Sequence, residues 1–206
     1  RLDEFAGVVS HDLRNPLNVA TLSVQLAAQE YDSPHLDRAE RAHSRMETLI
    51  EDLLTLARGG DKVESPEPVG LRGLAESAWA NVATDKARLR VETGGDRTLL
   101  ADQSRLSQLF ENLYRNAVEH GGKGVTVTVG ELSQARGIYI EDDGPGIPTE
   151  EQERIFKAGF STAEDGTGFG LSIVKQVAEA HEWNIRTTTG HDGGARFEIT
   201  GINFTE

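Results

Sequence analysis

The hydrophobic period changes once along this chain, and that change most narrows what it can fold into. Up to residue 57, apolar positions return every three or four residues. They run Leu2, Phe5, Val9, Leu13, Leu17, Ala20, Val24 and Ala27, then Leu36, Ala39, His43, Met46, Ile50, Leu53 and Ala57. That spacing buries one stripe of a helix. Later segments such as "GVTVTVGEL" and "GIYIEDD" alternate with a period of two, as strands do. Between the two regimes lies "RGGDKVESPEPVG", rich in glycine, proline and charge. It marks a boundary, giving a helical domain over residues 1–60 and a mixed α/β domain over 61–206.

Within the first unit, "YDSPH" reads as a turn, with Ser33 as a cap and Pro34 at the first position of the second helix. Leu49, Leu54 and Leu56 widen the second stripe beyond what one partner helix can cover. The hairpin is therefore expected to form a dimeric four-helix bundle. His43 sits in the stripe and reads as packing. One stretch breaks the pattern, "SHDLRNPL". His11 and Asn15 are four apart and share a helix face, while Pro16 crowds the carbonyl of Asp12.

The second unit reads as a two-layer sandwich with a mixed, mostly antiparallel sheet. "LRGLAESAWANVA" and "GFGLSIVKQVAEAH" are helical, Asp102 caps a long helix reaching His120, and "NIRTTTG" pairs with "GARFEIT" as a hairpin. Three features here belong together. "ENLYRNAVEH" puts Asn112 and Asn116 on one helix face, and "DDGPGIP" ends a strand at Asp142, followed by Gly144 and Gly146. "DGTGFGLSIVK" leads Gly166, Gly168 and Gly170 into a helix. Bare N–H groups at a glycine-rich helix start favour phosphates. An asparagine carbonyl can give one oxygen to a magnesium ion whose other ligands are phosphates and water. A buried carboxylate can accept an adenine N–H. Together they describe a pocket for a magnesium nucleotide, with neither a Gly-x-x-x-x-Gly-Lys-Ser/Thr loop nor a Gly-x-Gly-x-x-Gly turn in the chain.

The charge balance argues against nucleic acid as a partner: 34 acidic residues face 21 basic ones, for a net −13. The acidic, lysine-poor composition resembles that of halophile proteins, in which salt screens self-repulsion. Zero cysteines exclude disulfides and thiolate metal sites. No apolar run approaches a membrane span and no leader is visible, so a cytoplasmic setting is expected. Beginning at Arg1 inside a helical pattern, the chain reads as an excised fragment.

The motifs resemble, in order, those of two-component sensor histidine kinases. "SHDLRNPL" is similar to the H box, "NLYRNA" to the N box, "DDGPGI" to the first glycine box, "ERIFKAGF" to the phenylalanine box and "GTGFGL" to the second glycine box. The resemblance implies a dimerisation and phosphoacceptor hairpin followed by a GHKL-type ATP-binding sandwich. It implies ATP and Mg2+ as ligands, a homodimer, a response regulator receiver domain as partner, and a sensor domain outside residues 1–206. By position, His11 would be the phosphoacceptor, Asp12 its hydrogen-bond acceptor, and Asn15 the residue positioning water for dephosphorylation of the partner. Asn116 would bind magnesium with Asn112 beside it. Asp142 would bind adenine, Gly144 and Gly146 would let the base approach, and Gly166, Gly168 and Gly170 would frame the triphosphate. Residues 149–165 would form a lid anchored by Phe156 and Phe160.

The chain also departs from the family pattern. Glu119 stands where many relatives have lysine, and Ser161 and Thr162 where many have a basic residue; Asp143 replaces a commoner asparagine. Arg115, Lys123 and Lys157 are the candidate phosphate contacts, and His120 could line the pocket. His35, His181 and His191 have no metal-like spacing. Two other functions compete with the kinase. A nucleotide-binding scaffold without phosphotransfer draws on the missing basic residues. A gyrase- or chaperone-type ATPase is opposed by the H box, the hairpin and the lack of a glutamate at position 112.

Overall fold

The computed structural model describes residues 2–58, 62–82, 84, 86–95, 97–134, 136–161 and 166–205, without the side chains of residues 2–12, 14 and 58. α1 (Leu2–Glu30) and α2 (Pro34–Arg58) form an antiparallel hairpin. Ser33 opens α2 as expected: its Oγ accepts from the His35 N–H at 3.3 Å and its carbonyl from the Leu36 N–H at 2.9 Å. α1 runs unbroken through Pro16. Leu17 is buried, yet Leu13, Val19, Leu22, Leu26, Met46 and Leu53 stay exposed. The hairpin thus carries more apolar face than it covers. No helix among the described residues is long and apolar enough to cross a membrane.

The rest of the chain builds β1 (Glu67–Gly70), α3 (Leu71–Ala80), β2 (Arg88–Glu92), β3 (Thr98–Ala101), α4 (Gln103–His120), β4 (Thr126–Glu131), β5 (Gly137–Asp142), α5 (Gly170–Ala180), β6 (Asn184–Thr189), β7 (Ala195–Thr200) and β8 (Phe204–Thr205). The main sheet has the order β2-β4-β5-β7-β6. Its β2–β4 pair is parallel and its other pairs antiparallel, so the sheet is mixed and mostly antiparallel. A second, small sheet, β1-β3-β8, was not legible in the boundary segment. "EPVG" looks like linker because it holds a proline and a glycine. Pro68 is tolerated because β1 is an edge strand, paired with β3 alone.

Strand alternation sorts the two faces of the main sheet. Val127, Val129, Ile138, Ile140, Phe197 and Ile199 point into the core, where α3, α4 and α5 cover them. Tyr114 of α4 is fully buried, edge-on to Trp79 and Phe110, and its hydroxyl donates to the Ala75 carbonyl at 3.3 Å. Burial drives its phenol far above the ordinary tyrosine range. Among the described residues the opposite face has no helices and carries interlocked charges. Arg186 reaches Glu198 at 2.6 Å, Arg196 reaches Glu198 at 2.9 Å and Glu141 at 2.7 Å, and the Arg196 guanidinium lies 3.7 Å from the centre of the Tyr139 ring. Glu198 is held below the ordinary glutamate range: its burial opposes ionisation, but the two arginines outweigh it.

Two helices that flank the candidate site are tied at their far ends. Asp102 caps α4, its Oδ1 accepting from the Ser104 and Arg105 N–H groups at 2.9 and 3.1 Å. Its own N–H donates to His181 Nε2 at 3.0 Å, just past α5. Accepting there fixes the proton on Nδ1, which donates to the Val177 carbonyl at 2.8 Å. Burial holds the His181 pKa below its ordinary value and the ring is neutral. α2 docks on this unit through polar contacts: Gln108 Nε2 donates to Thr55 Oγ1 at 2.7 Å and Gln176 Nε2 to the Leu56 carbonyl at 3.0 Å.

Candidate active site

A cavity of about 550 Å³ opens between α4, the end of β5, the glycine-rich segment before α5, and α2. Asp142 lies at one end, set there by the last residue of β5. Its Oδ1 accepts from the Gly144 N–H at 2.9 Å and the Ala195 N–H at 3.2 Å, while Oδ2 has no protein partner among the described residues. Desolvation raises its pKa above the usual carboxylate range, outweighing the two amides, with Asp143 and Glu141 adding to the rise. The backbone packs closely around it. A Cβ on Gly144 would stand 2.6 Å from Gly121 Cα and 2.9 Å from Asp142 Oδ1, and one on Gly194 would stand 1.9 Å from the Asp142 carbonyl oxygen. The β6–β7 turn is thus the floor of the acid's niche.

α4 forms the middle wall. Asn112 is 4% exposed and already engaged: its Nδ2 donates to the Gln108 carbonyl at 2.9 Å, and its Oδ1 accepts from Arg115 at 3.3 Å. Asn116, one turn on, lines the cavity with a buried Nδ2 that has no partner among the described residues. A buried amide left in that state costs about 1–3 kcal/mol, which a site made for a polar ligand can recover when filled.

The glycine segment forms a further wall. Gly166, Gly168 and Gly170 all border the cavity, with Gly170 opening α5 one residue pair later than the sequence pattern predicts. Gly168 sits at φ +74°, and its carbonyl accepts from the Gly159 N–H at 2.9 Å, stitching the preceding turns to the triplet. Those turns are pinned by buried Ile155, by Phe156 edge-on to Phe197, and by Arg154 over the Phe160 ring. The remainder of the expected lid, including Thr162 and Asp165, lies outside the described residues.

The fourth wall is α2. Arg45 Nη2 donates to the Gly166 carbonyl at 3.2 Å, and Thr167 Oγ1 donates to Asp52 Oδ2 at 2.7 Å. Asp52 is 5% exposed, and its desolvation raises its pKa against the opposing pull of Thr167 and Arg115. Arg41 borders the same space.

Of the residues expected from the sequence, the fold brings Asn112, Asn116, Asp142, Gly146, Gly166, Gly168, Gly170 and His120 to one cavity, with Gly144 directly behind Asp142. Among the candidate cations Arg115 borders it, and Lys123 and Lys157 do not. His11 and Asp12 belong to α1 by backbone, but their side chains lie outside the described residues; Asn15 is exposed on α1 away from the cavity lining. Sequence reading missed Gly194, Thr167 and the α2 residues. Arg41, Arg45, Thr48 and Asp52 follow a 4-3-4 spacing, a polar helical stripe whose only signal in the chain is that periodicity.

Magnesium fits this donor set in one specific way. No cluster of three or more histidine, aspartate or glutamate side chains among the described residues could hold a metal. Asn116 offers a single neutral oxygen ligand, which suits an ion that arrives with phosphate and water as its other ligands.

Comparison with known proteins agrees with this arrangement. Residues 101–203 match the family described as "Histidine kinase-, DNA gyrase B-, and HSP90-like ATPase", and residues 1–62 match "His Kinase A (phospho-acceptor) domain". Phytochrome-like protein Cph1 of Synechocystis sp. is 30% identical over 95% of this chain and 28% of its own length. Sensor-like histidine kinase SenX3 of Mycobacterium tuberculosis is 31% identical over 95% of this chain and 52% of its own. The solved structure of full-length ShkA in complex with AMPPNP superposes with a TM-score of 0.74 at 25% identity, covering 98% of this chain and 46% of that one. The chain therefore spans from about a quarter to about half of the length of these relatives. With its motifs in order, its sandwich built and both family descriptions matched, the chain belongs to the sensor histidine kinases.

Proposed function

We propose that this chain is the ATP-dependent phosphotransfer core of its protein, with a phosphoacceptor domain at 1–60 and a catalytic domain at 61–206. The observation that carries the reading is the convergence of Asp142, the unpartnered Asn116 amide and the glycine triplet on one cavity of about 550 Å³. Asp142 Oδ2 accepts the exocyclic N–H of adenine, and the α5 N-terminus with its glycine N–H groups takes the phosphates. Asn116 would hold magnesium, which neutralises charge on the phosphates when bound.

His11 is the acceptor. Its neutral ring nitrogen attacks the γ-phosphorus, an N–P bond forms, and the bond to the β-phosphate oxygen breaks with its electron pair leaving on ADP. Asp12 accepts the hydrogen bond, and then the proton, of the other ring nitrogen. Backbone placement supports this. His11 stands nineteen residues before the end of α1 and Leu53 nineteen after the start of α2. With equal rise in both helices of an antiparallel pair, His11 lies level with Leu53, next to Asp52 and hence beside the glycine end of the cavity.

The phosphoryl group then passes to an aspartate of a response regulator, Asn15 positions a water that hydrolyses that aspartyl phosphate to free phosphate, and a second copy covers the exposed apolar face of the hairpin. The scaffold reading draws on missing cations, and Arg41, Arg45 and Arg115 at the cavity remove that support. The test is incubation with γ-labelled ATP and Mg2+. Acid-labile label that disappears in His11→Gln is expected; equal labelling of that variant would refute the assignment.

A further inference from the structure

A nucleoside triphosphate carries several negative charges, and this cavity is bordered by Glu119, Asp142, Glu151 and Asp52. The usual local sources of compensation are absent, since Glu119, Ser161 and Thr162 occupy positions that could have been basic. Lys123 and Lys157 lie outside the lining. Among the described residues, the cations that border the cavity are Arg115, Arg41 and Arg45. Two of these three belong to α2, the second helix of the hairpin.

Their position along the cavity is specific. Arg45 Nη2 reaches the carbonyl of Gly166, the first glycine of the triplet, at 3.2 Å. Arg41 is one turn earlier on the same face. On the same stripe, Asp52 accepts from Thr167 within that triplet and is almost wholly buried, so the contact clamps α2 onto the glycine segment. Gln108–Thr55 and Gln176–Leu56 continue the same docking surface. The arginines therefore stand beside the glycine segment to which the nucleotide reading assigns the phosphates, and they are presented by a docked helix rather than a loose loop.

We infer that Arg41 and Arg45 of α2 complete the triphosphate site, so that full affinity for a nucleoside triphosphate requires the hairpin to be docked against the catalytic sandwich. This rests on the nucleotide reading above and adds to it a specificity element outside the catalytic domain. Each arginine offers planar, permanently charged donors matched to phosphate oxygens. They act on the outer phosphates only, so a nucleoside monophosphate gains nothing from them.

The test uses the full chain and measures equilibrium binding of Mg-ATP and of AMP. In the double variant Arg41→Ala/Arg45→Ala, ATP affinity is expected to fall at least about tenfold, the worth of one charge-assisted hydrogen bond. AMP affinity should change less than about twofold on the same principle, which also reports that the sandwich is folded. Arg45→Lys, which keeps the charge but not the planar donors, should fall between the wild type and the double variant in ATP affinity. Asp142→Asn should weaken both ligands together. If the arginine variant binds ATP as the wild type does, or loses ATP and AMP in equal proportion, the inference fails while the nucleotide reading stands. If the wild type binds neither ligand, both fail together.

Discussion

Gly194 lies in a hairpin turn and touches no ligand, yet Gly194→Ala should damage the nucleotide site. A Cβ at that position would stand 1.9 Å from the Asp142 carbonyl oxygen and 2.7 Å from its Oδ1. Relief to ordinary contact requires the turn and the end of β5 to separate by more than about 1 Å, because close-packed interiors do not absorb such overlap. The Ala195 N–H to Asp142 Oδ1 bond is already 3.2 Å long. Stretched by that amount, it is no longer a hydrogen bond. One bond to a charged acceptor is worth about 1.5–3 kcal/mol, and overpacking adds about 1–3 kcal/mol. The expected results are a stability loss of roughly 2.5–6 kcal/mol in denaturant unfolding and a tenfold or greater loss of Mg-ATP affinity. Gly70→Ala is the control, since nothing lies within 4 Å of its Cβ and its φ is −72°. If Gly194→Ala unfolds and binds Mg-ATP like the wild type, the niche is softer than the packing requires and the reasoning is wrong.

Two further outcomes follow from buried polar groups. His181→Phe keeps a ring beside Trp183 but leaves the Asp102 N–H without its acceptor, which should cost about 1–3 kcal/mol. Because the folded state lowers the His181 pKa, the unfolded chain takes up the proton first as pH falls through about 6.5. Wild-type stability is therefore lost on acidification, and the variant should show a shallower fall between pH 7.5 and 5.5; equal slopes would discount the neutral ring. Asn116→Leu removes an unpartnered buried amide. It should unfold no more easily than the wild type while losing Mg-ATP binding, and a variant that still bound Mg-ATP would exclude Asn116 as a metal ligand.

What the sequence made legible were features whose cause is local. Asp102 announces α4 because a cap is decided within three residues, and the hairpin of β6 and β7 follows from alternation around "HDGG". The edge strands β1 and β8 were hidden because four and two residues carry too little pattern, and their pairing partner β3 is distant in the chain. Gly194 looked like a turn former, whereas the structure needs its missing side chain for the space beside Asp142. The α2 stripe was ambiguous for a different reason. On an isolated helix a polar face means water, and only docking against the glycine segment turns Arg45 and Asp52 inward.

The helix-free side of the main sheet has a consequence for how other molecules can approach. Covering it would strip water from Arg186, Glu198, Arg196 and Glu141 together, and a partner would need to replace that hydration with matched groups. A greasy surface gains nothing there. The sheet thus keeps its own back free, and apolar association is left to the hairpin, where Leu13, Val19, Leu22, Leu26, Met46 and Leu53 already stand open to solvent.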